Sequence, residues 1–515
     1  MSGAADPAAG RAGLARDVPL TPAVQLGGIL VLAAVLRLFA LDRANYVEAD
    51  ETFTVWVAQH GWSAIVPLLR LTDTHPPGFY VLMKAWISIA GHDPVALRLP
   101  AVAFGVASVW LTFLLMRRLA ATPVALLAAL LVAVAPLEIM VSQQAMAYGL
   151  LTVLALGATL ALVSAAERST VGRWAAYAAL AACLAYTQYL GILLVAAHGI
   201  WIWRYHPAVL RPWGGAVLAA AVAFAPWVPS IAAQSAQVVG GQWYRTHGAV
   251  LNFGDLLGLF AFGGGLFGSA TYFSPGQVTL LEQAIILLPF LGALALGLRA
   301  TDDAGRPSRG LLALVLGVPI GIGLVFGFFR PVFAPRWFVF LAPLYAMVVA
   351  RGISAGADLL MAERHRVVAW LTVFLLLYSV PVLSGYYRSQ PPEGWLTVAE
   401  AVRPQVLPGD AFIFLTPEAE MRLLYYFPGD WPPSVVLTPV GEIFRSDRHA
   451  ALTPAQIEAL AHQYRRVWIV LTAPFYSSVR NELGPAIRAA FHPLAGRAFQ
   501  IAFVALYGSN TPPNP

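Results

Sequence analysis

The chain has 515 residues, of which 59% are hydrophobic and only 11% charged, and its mean hydropathy is +0.69. A soluble globule of that length carries about a quarter charged residues, so the composition excludes one as a description of the whole chain. The net charge of +6 comes from basic residues in short loops, without the patch of a nucleic-acid binder, and the single cysteine, Cys183, excludes an intramolecular disulfide.

After an N-terminal tail, residues 1–20, the apolar stretches begin. A helix needs about 20 mainly apolar residues to cross a bilayer. The stretches that qualify are 22–41, 98–116, 122–140, 146–166, 173–189, 190–204, 213–231, 278–298, 310–329, 337–353 and 367–385. The first is too long for a cleaved signal peptide and lacks its small-residue exit, so it reads as an anchor. Lys and Arg favour cytoplasmic loops. With the N-terminus inside, the inner segments hold Arg11, Arg16, Arg117, Arg118, Arg168, Arg173, Arg204, Arg211, Arg299, Arg306, Arg309, Arg351, Arg364 and Arg366, and the outer ones hold fewer. Residues 76–91 are too short to span and read as a surface helix, and the Gly-rich 255–272 as a re-entrant piece. Counting both as spans gives thirteen crossings in place of eleven.

From residue 386 the texture changes. Strand-length apolar runs at 410–416, 434–438, 465–472 and 499–507 alternate with amphipathic stretches near 417–427, 453–463 and 477–490. The expected fold is therefore an α-helical polytopic membrane protein over 21–385, followed by a C-terminal extracytoplasmic α/β domain over 386–515. An Ala- and Arg-rich, Lys-poor composition fits a GC-rich bacterium, which makes the membrane an inner membrane and the outside a periplasm.

The chemistry concentrates in the first outer loop, residues 42–97. It opens with Glu48, Asp50 and Glu51, continues with Asp73-Thr74-His75-Pro76-Pro77, and ends at Arg98. Carboxylates at a membrane boundary are costly unless they serve a purpose, although acidic residues also suit a helix start. Arg98, Arg330 and Arg336 lie at outer ends of spans, against the charge trend. They are candidates for an anionic phosphate or, like Arg37, for snorkelling to headgroups. Arg245, beside Trp243, Tyr244 and His247, reads as an interfacial anchor. No P-loop or Rossmann glycine pattern adjoins a strand, which argues against direct use of ATP or a nucleotide cofactor.

In this order, EADE (48–51), DTHPP (73–77), LRLP (97–100), SQQAMAY (142–148), FAPRW (333–337) and YYR (386–388) resemble the GT-C superfamily of polyprenyl-phosphate-dependent glycosyltransferases. The branch they are similar to contains protein O-mannosyltransferases and the lipid A aminoarabinose transferase. Relatives often carry an acidic residue and an Arg where this chain has Gln144 and Met146. Glu138 is a candidate replacement carboxylate.

The resemblance implies inverting transfer of a sugar from a polyprenyl-phosphate carrier to a lipid, glycan or protein acceptor. It makes Asp50 the general base, with Glu51 beside it orienting neighbours or the sugar. Asp73, His75, Arg98, Gln144, Tyr148, Arg330 and Arg336 become donor- or acceptor-binding residues. A divalent cation is left open by the resemblance, since no spacing here is that of a dedicated metal site. A transporter or flippase and a non-catalytic scaffold are the alternatives. The charges gather in outer loops and the halves are not paired, which disfavours the first.

Overall fold

The computed structural model describes residues 21–42, 47, 49–240, 249–263, 280–301, 308–329, 334–359, 369, 373, 379–380, 382–388, 394–414, 416–427, 432–436, 454–472 and 484–511. The helices are α1 (Pro22–Leu38), α2 (Ala49–Gln59), α3 (Ile65–Thr72), α4 (Gly78–Ala90), α5 (Pro94–Leu119), α6 (Thr122–Val134), α7 (Pro136–Ser142) and α8 (Ala147–Glu167). They continue as α9 (Val171–Thr187), α10 (Gly191–Tyr205), α11 (Leu210–Phe224), α12 (Val228–Gly240), α13 (Ala249–Phe262), α14 (Leu280–Arg299), α15 (Ser308–Phe329) and α16 (Ala342–Leu359). Their ends follow local chemistry. Asp93 caps α5 by accepting from the N–H groups of Val95 and Ala96, and Pro94 supplies a preset first turn, while Arg117 and Arg118 close its last turn.

Among the described residues, helical stretches 94–119, 147–167, 207–235, 308–329 and 335–359 are long and apolar enough to cross a membrane. Helices α6 and α7 add a sixth crossing if taken together, although they are bent by 58° at their junction. The expected spans at 173–189 and 190–204 are two separate shorter helices, and α1 and α4 are shorter apolar helices as well. The expected span at 367–385 and the second half of the Gly-rich piece lie outside the described residues, except at a few positions. This is a multi-pass membrane protein. Arg37, expected to reach lipid headgroups, is wholly buried where α6 breaks into α7.

Helices α14 and α16 approach until their backbones touch. A Cβ on Gly352 would lie 1.7 Å from the Ala293 carbonyl oxygen, and one on Gly297 would lie 2.0 Å from that of Val348. In an apolar medium helices associate through such small-residue contacts rather than through hydrophobicity.

The C-terminal domain is a five-stranded sheet in the order β2-β1-β3-β5-β4, built from β1 (Ala411–Phe414), β2 (Ser434–Val436), β3 (Arg466–Thr472), β4 (Phe491–Ala498) and β5 (Ala502–Ser509). Strand β1 runs parallel to β2 and β3, and the β3–β5 and β5–β4 pairs are antiparallel. Buried Asp410 anchors it, accepting from the Leu407 N–H, Arg466 and the Trp468 indole at 2.9–3.0 Å. The expected strand at 499–507 begins instead at 502. Strand β4, which carries Pro493 and a register shift, was not expected at all. As an edge strand it tolerates the proline that a central strand refuses.

The helix crossing predicts that Gly352→Val costs about 1–3 kcal/mol, the usual range for overpacking. Gly292→Ala, with nothing within 4 Å of its added Cβ, is expected to be near neutral. Thermal melting of the purified protein in detergent compares the two, and equal melting would contradict the crossing.

Candidate functional site

Residues of the 42–97 loop fold as α2, α3 and α4 over one end of the bundle. Val55, Trp56, Ile65, Leu69, Phe79 and Met83 form a common core there with Trp227 of the bundle and Met421 of the C-terminal domain. Consecutive residues of a helix point about 100° apart. In the first turn of α2 this separates the acidic pair, so that Asp50 is exposed while Glu51 is fully buried. Glu51 accepts two parallel bonds from Arg98, Nε to Oε1 and Nη2 to Oε2, each 2.9 Å. The Ala145 N–H adds a third, 2.9 Å to Oε1, and Arg98 also donates to the Leu41 carbonyl at 3.1 Å. Arg98, expected at a phosphate, is thus engaged by a carboxylate of the protein itself.

The DTHPP segment follows α3, extended at Asp73, bending at Thr74 and His75, and reaching helical backbone at Pro77. Buried Asp73 accepts from the Thr74 N–H and the Tyr80 hydroxyl at 2.6 Å each, and lies 2.9 Å from His75 Nδ1. This loop lies outside the spanning segments. Burial opposes the charge on Asp73, but the His75 imidazole, its hydrogen bond, Tyr80 and Thr74 outweigh it and hold the carboxyl below its ordinary value. Burial also opposes charge on His75, yet the Asp73 carboxylate and, further off, Asp50 raise it above the ordinary imidazole value, with Arg336 acting against them. The His75 side chain is 34% exposed. Asp50, Asp73, His75 and Arg336 therefore share one electrostatic neighbourhood.

Sequence reasoning missed the struts that hold this loop. Buried Gln234 of α12 donates to the carbonyls of Leu69 and His75 at 3.1 and 3.2 Å, and accepts from the Tyr189 hydroxyl, which itself accepts from the Trp227 indole at 2.7 Å. Arg70 donates to Ser230 at 2.7 Å. In the SQQAMAY segment the side chain that reaches across is Gln143, which donates to the carbonyls of Arg37 and Phe39 at 2.9 and 2.8 Å. Gln144 is buried beside it. Tyr148 is half-buried on the first turn of α8, within electrostatic reach of Tyr80. Glu138 is buried next to Arg37, away from the loop. Arg330, Arg245 and Glu48 lie outside the described residues.

The C-terminal domain closes over the same loop. Tyr425 donates to the His92 carbonyl at 2.7 Å, and the Tyr426 hydroxyl accepts from the Val47 N–H at 2.9 Å. Burial first, and Glu51 second, push the Tyr425 phenol well above its ordinary value, so it stays a neutral donor. No group of three or more His, Cys, Asp or Glu side chains among the described residues has the arrangement of a metal site.

Residues 74–231 match the family model described as dolichyl-phosphate-mannose-protein mannosyltransferase. No curated protein matches the chain in sequence. The fold is similar to that of ArnT from Cupriavidus metallidurans in the apo state, with a TM-score of 0.65 at 13% identity over 94% of this chain and 98% of that one. It is also similar to ArnT from the same organism bound to undecaprenyl phosphate, with a TM-score of 0.62 at 13% identity, covering 93% and 97% of the two chains. The Archaeoglobus fulgidus oligosaccharyltransferase tethered to an acceptor peptide aligns with a TM-score of 0.51 at 12% identity, over 95% of this chain and 74% of that one. A bundle with a broken helix, followed by a small sheet domain that packs on the loop after the first helix, is thus the fold this chain has in common with ArnT and the archaeal oligosaccharyltransferase.

Proposed function

We propose that the protein transfers a sugar from a polyprenyl-phosphate carrier to a hydroxyl-bearing lipid, glycan or protein acceptor, with inversion at the anomeric carbon. The observation that carries this reading is the division of labour in the acidic pair. Glu51 is locked by Arg98 and Ala145, which leaves the neighbouring Asp50 carboxylate exposed on a rigid helix beside Asp73 and His75. The undecaprenyl phosphate bound to the structurally similar ArnT supports a carrier of that class.

In the reaction, the acceptor oxygen forms a bond to the anomeric carbon as the carbon–oxygen bond to the phosphate breaks. The acceptor proton passes to Asp50, and the electron pair leaves with the polyprenyl phosphate. His75, charged through Asp73, and Arg336 stabilise the phosphate as its charge grows. Glu51 and Arg98 hold α2 in place and take no part in the chemistry. In this reading the active site and the C-terminal domain face the periplasm from a bacterial inner membrane.

Asp50→Asn is expected to lower kcat by about 10²–10⁴, the range of a positioned base, without loss of folded protein. Transfer from radiolabelled polyprenyl-phosphate sugars to membrane acceptors reads this, and equal transfer by the variant would remove Asp50 from the role. A wild-type protein that transfers none of these sugars would favour the transporter and scaffold alternatives. Glu51→Gln acts differently. It leaves Arg98 buried without its counter-charge, at a cost of about 3–5 kcal/mol, and should appear first as a lowered melting temperature.

The pH dependence follows from the raised His75 value. The charged pair with Asp73 is fully present below the ordinary imidazole value of 6.5 and is lost as pH rises through the higher folded value. Activity should therefore fall on the alkaline side of that folded value, and His75→Gln should flatten this limb. A variant that keeps the wild-type alkaline limb would exclude His75 as its source.

A further inference from the structure

Arg37 is wholly buried, and its neighbours form a connected path to the catalytic loop. Pro136 has no N–H, so the carbonyl of Val132, four residues earlier, loses its helical donor at the 58° break. The Arg37 guanidinium takes that donor's place: Nη2 donates to Val132 O at 3.2 Å and Nη1 to Ala133 O at 2.9 Å. Its Nε donates to Ser142 Oγ at 3.1 Å, at the far end of α7. Gln143 returns the contact by donating to the carbonyls of Arg37 and Phe39. Two residues on, the Ala145 N–H holds Glu51. Glu138 is buried beside it, and its Oε1 has no hydrogen-bond partner among the described residues.

We infer that Arg37 is a positioning residue for sugar transfer: it replaces the backbone donor missing at Pro136 and so sets the 142–146 turn that aims Glu51 and, through it, the Asp50 carboxylate. This rests on Asp50 acting as the base. The guanidinium shape is required because four acceptors in different directions, the carbonyls of Ala33, Val132 and Ala133 and the Ser142 hydroxyl, are served from one rigid fork. The room for it comes from α5, where a Cβ on Gly105 would lie 2.0 Å from Ser142 Oγ and 2.6 Å from Arg37 Nε.

The test uses the full chain in lipid nanodiscs, as wild type, Arg37→Met, Arg37→Lys and Gly105→Ala. The last displaces Arg37 and Ser142 without removing any donor, and keeps the test alive should Arg37→Met fail to fold. Four quantities are read: kcat and KM for a polyprenyl-phosphate sugar, the melting temperature, and backbone hydrogen exchange over 49–55 and 143–147. Misplacing a reacting group by about 1 Å costs on the order of 10² in rate. The expected result is a fall in kcat of about that size per folded molecule with little change in KM, faster exchange in both segments, and an intermediate effect for Arg37→Lys. An unchanged kcat per folded molecule overturns the inference, as does a raised KM with kcat intact, which would put Arg37 in the donor site. If no protein transfers any sugar, the proposed reaction falls, and exchange alone decides the positioning role. Faster exchange over 143–147 and 49–55 sustains it, and unchanged exchange removes it.

Discussion

The buried ion pair between Glu51 and Arg98 is the constraint from which the site takes its shape. Removing two charges from water costs several kcal/mol for each ion, and a single contact does not offset that. Here the offset comes from geometry, because the planar guanidinium meets both carboxylate oxygens and the remaining bonds go to the Leu41 carbonyl and the Ala145 N–H. Four segments distant in sequence meet at one point: the end of α1, the start of α2, the start of α5 and the turn before α8. Because the pair is intolerant of partial disassembly, these segments keep a common register. A carboxylate held so firmly is a poor base, whereas the adjacent Asp50 stays exposed.

Around that point the backbone is irregular, and each irregularity is answered by a side chain. Lys84 donates to the carbonyls of Ala58 and His60 at the end of α2, Gln234 to those of Leu69 and His75, and Arg37 to those of Val132 and Ala133. In an apolar surrounding an unanswered carbonyl costs several kcal/mol, so broken helices are permitted only where such donors exist. The 42–97 loop is thereby held, at its described residues, by polar bonds to main chain as well as by packing.

Much of this was legible in the sequence, for physical reasons. A bilayer demands long apolar runs, so most helices announce themselves, and α2 and α4 stand where their acidic and proline signals placed them. The roles of the arginines were harder to read. A fork suited to phosphate suits a carboxylate equally, and nothing local to Arg98 tells Glu51 from a ligand. Arg37 looked like a headgroup anchor because the carbonyls it serves exist only once α6 bends. Gln144 and Met146 depart from the residues that relatives often carry, and the bond made to Glu51 there comes from the Ala145 backbone. Strand β4 hid behind Pro493 and Gly496, residues that an edge accepts and a pattern of alternation does not.

The bond between the Val47 N–H and the Tyr426 hydroxyl joins positions 379 residues apart in the chain. A ribosome delivers the first long before the second. During synthesis the acidic helix therefore emerges with Val47 unclasped and the Met421–Tyr425 face of its cover absent. Only when the last domain has folded can the loop gain these contacts. The order of translation thus makes the clasp between Val47 and Tyr426 one of the last contacts the chain can form.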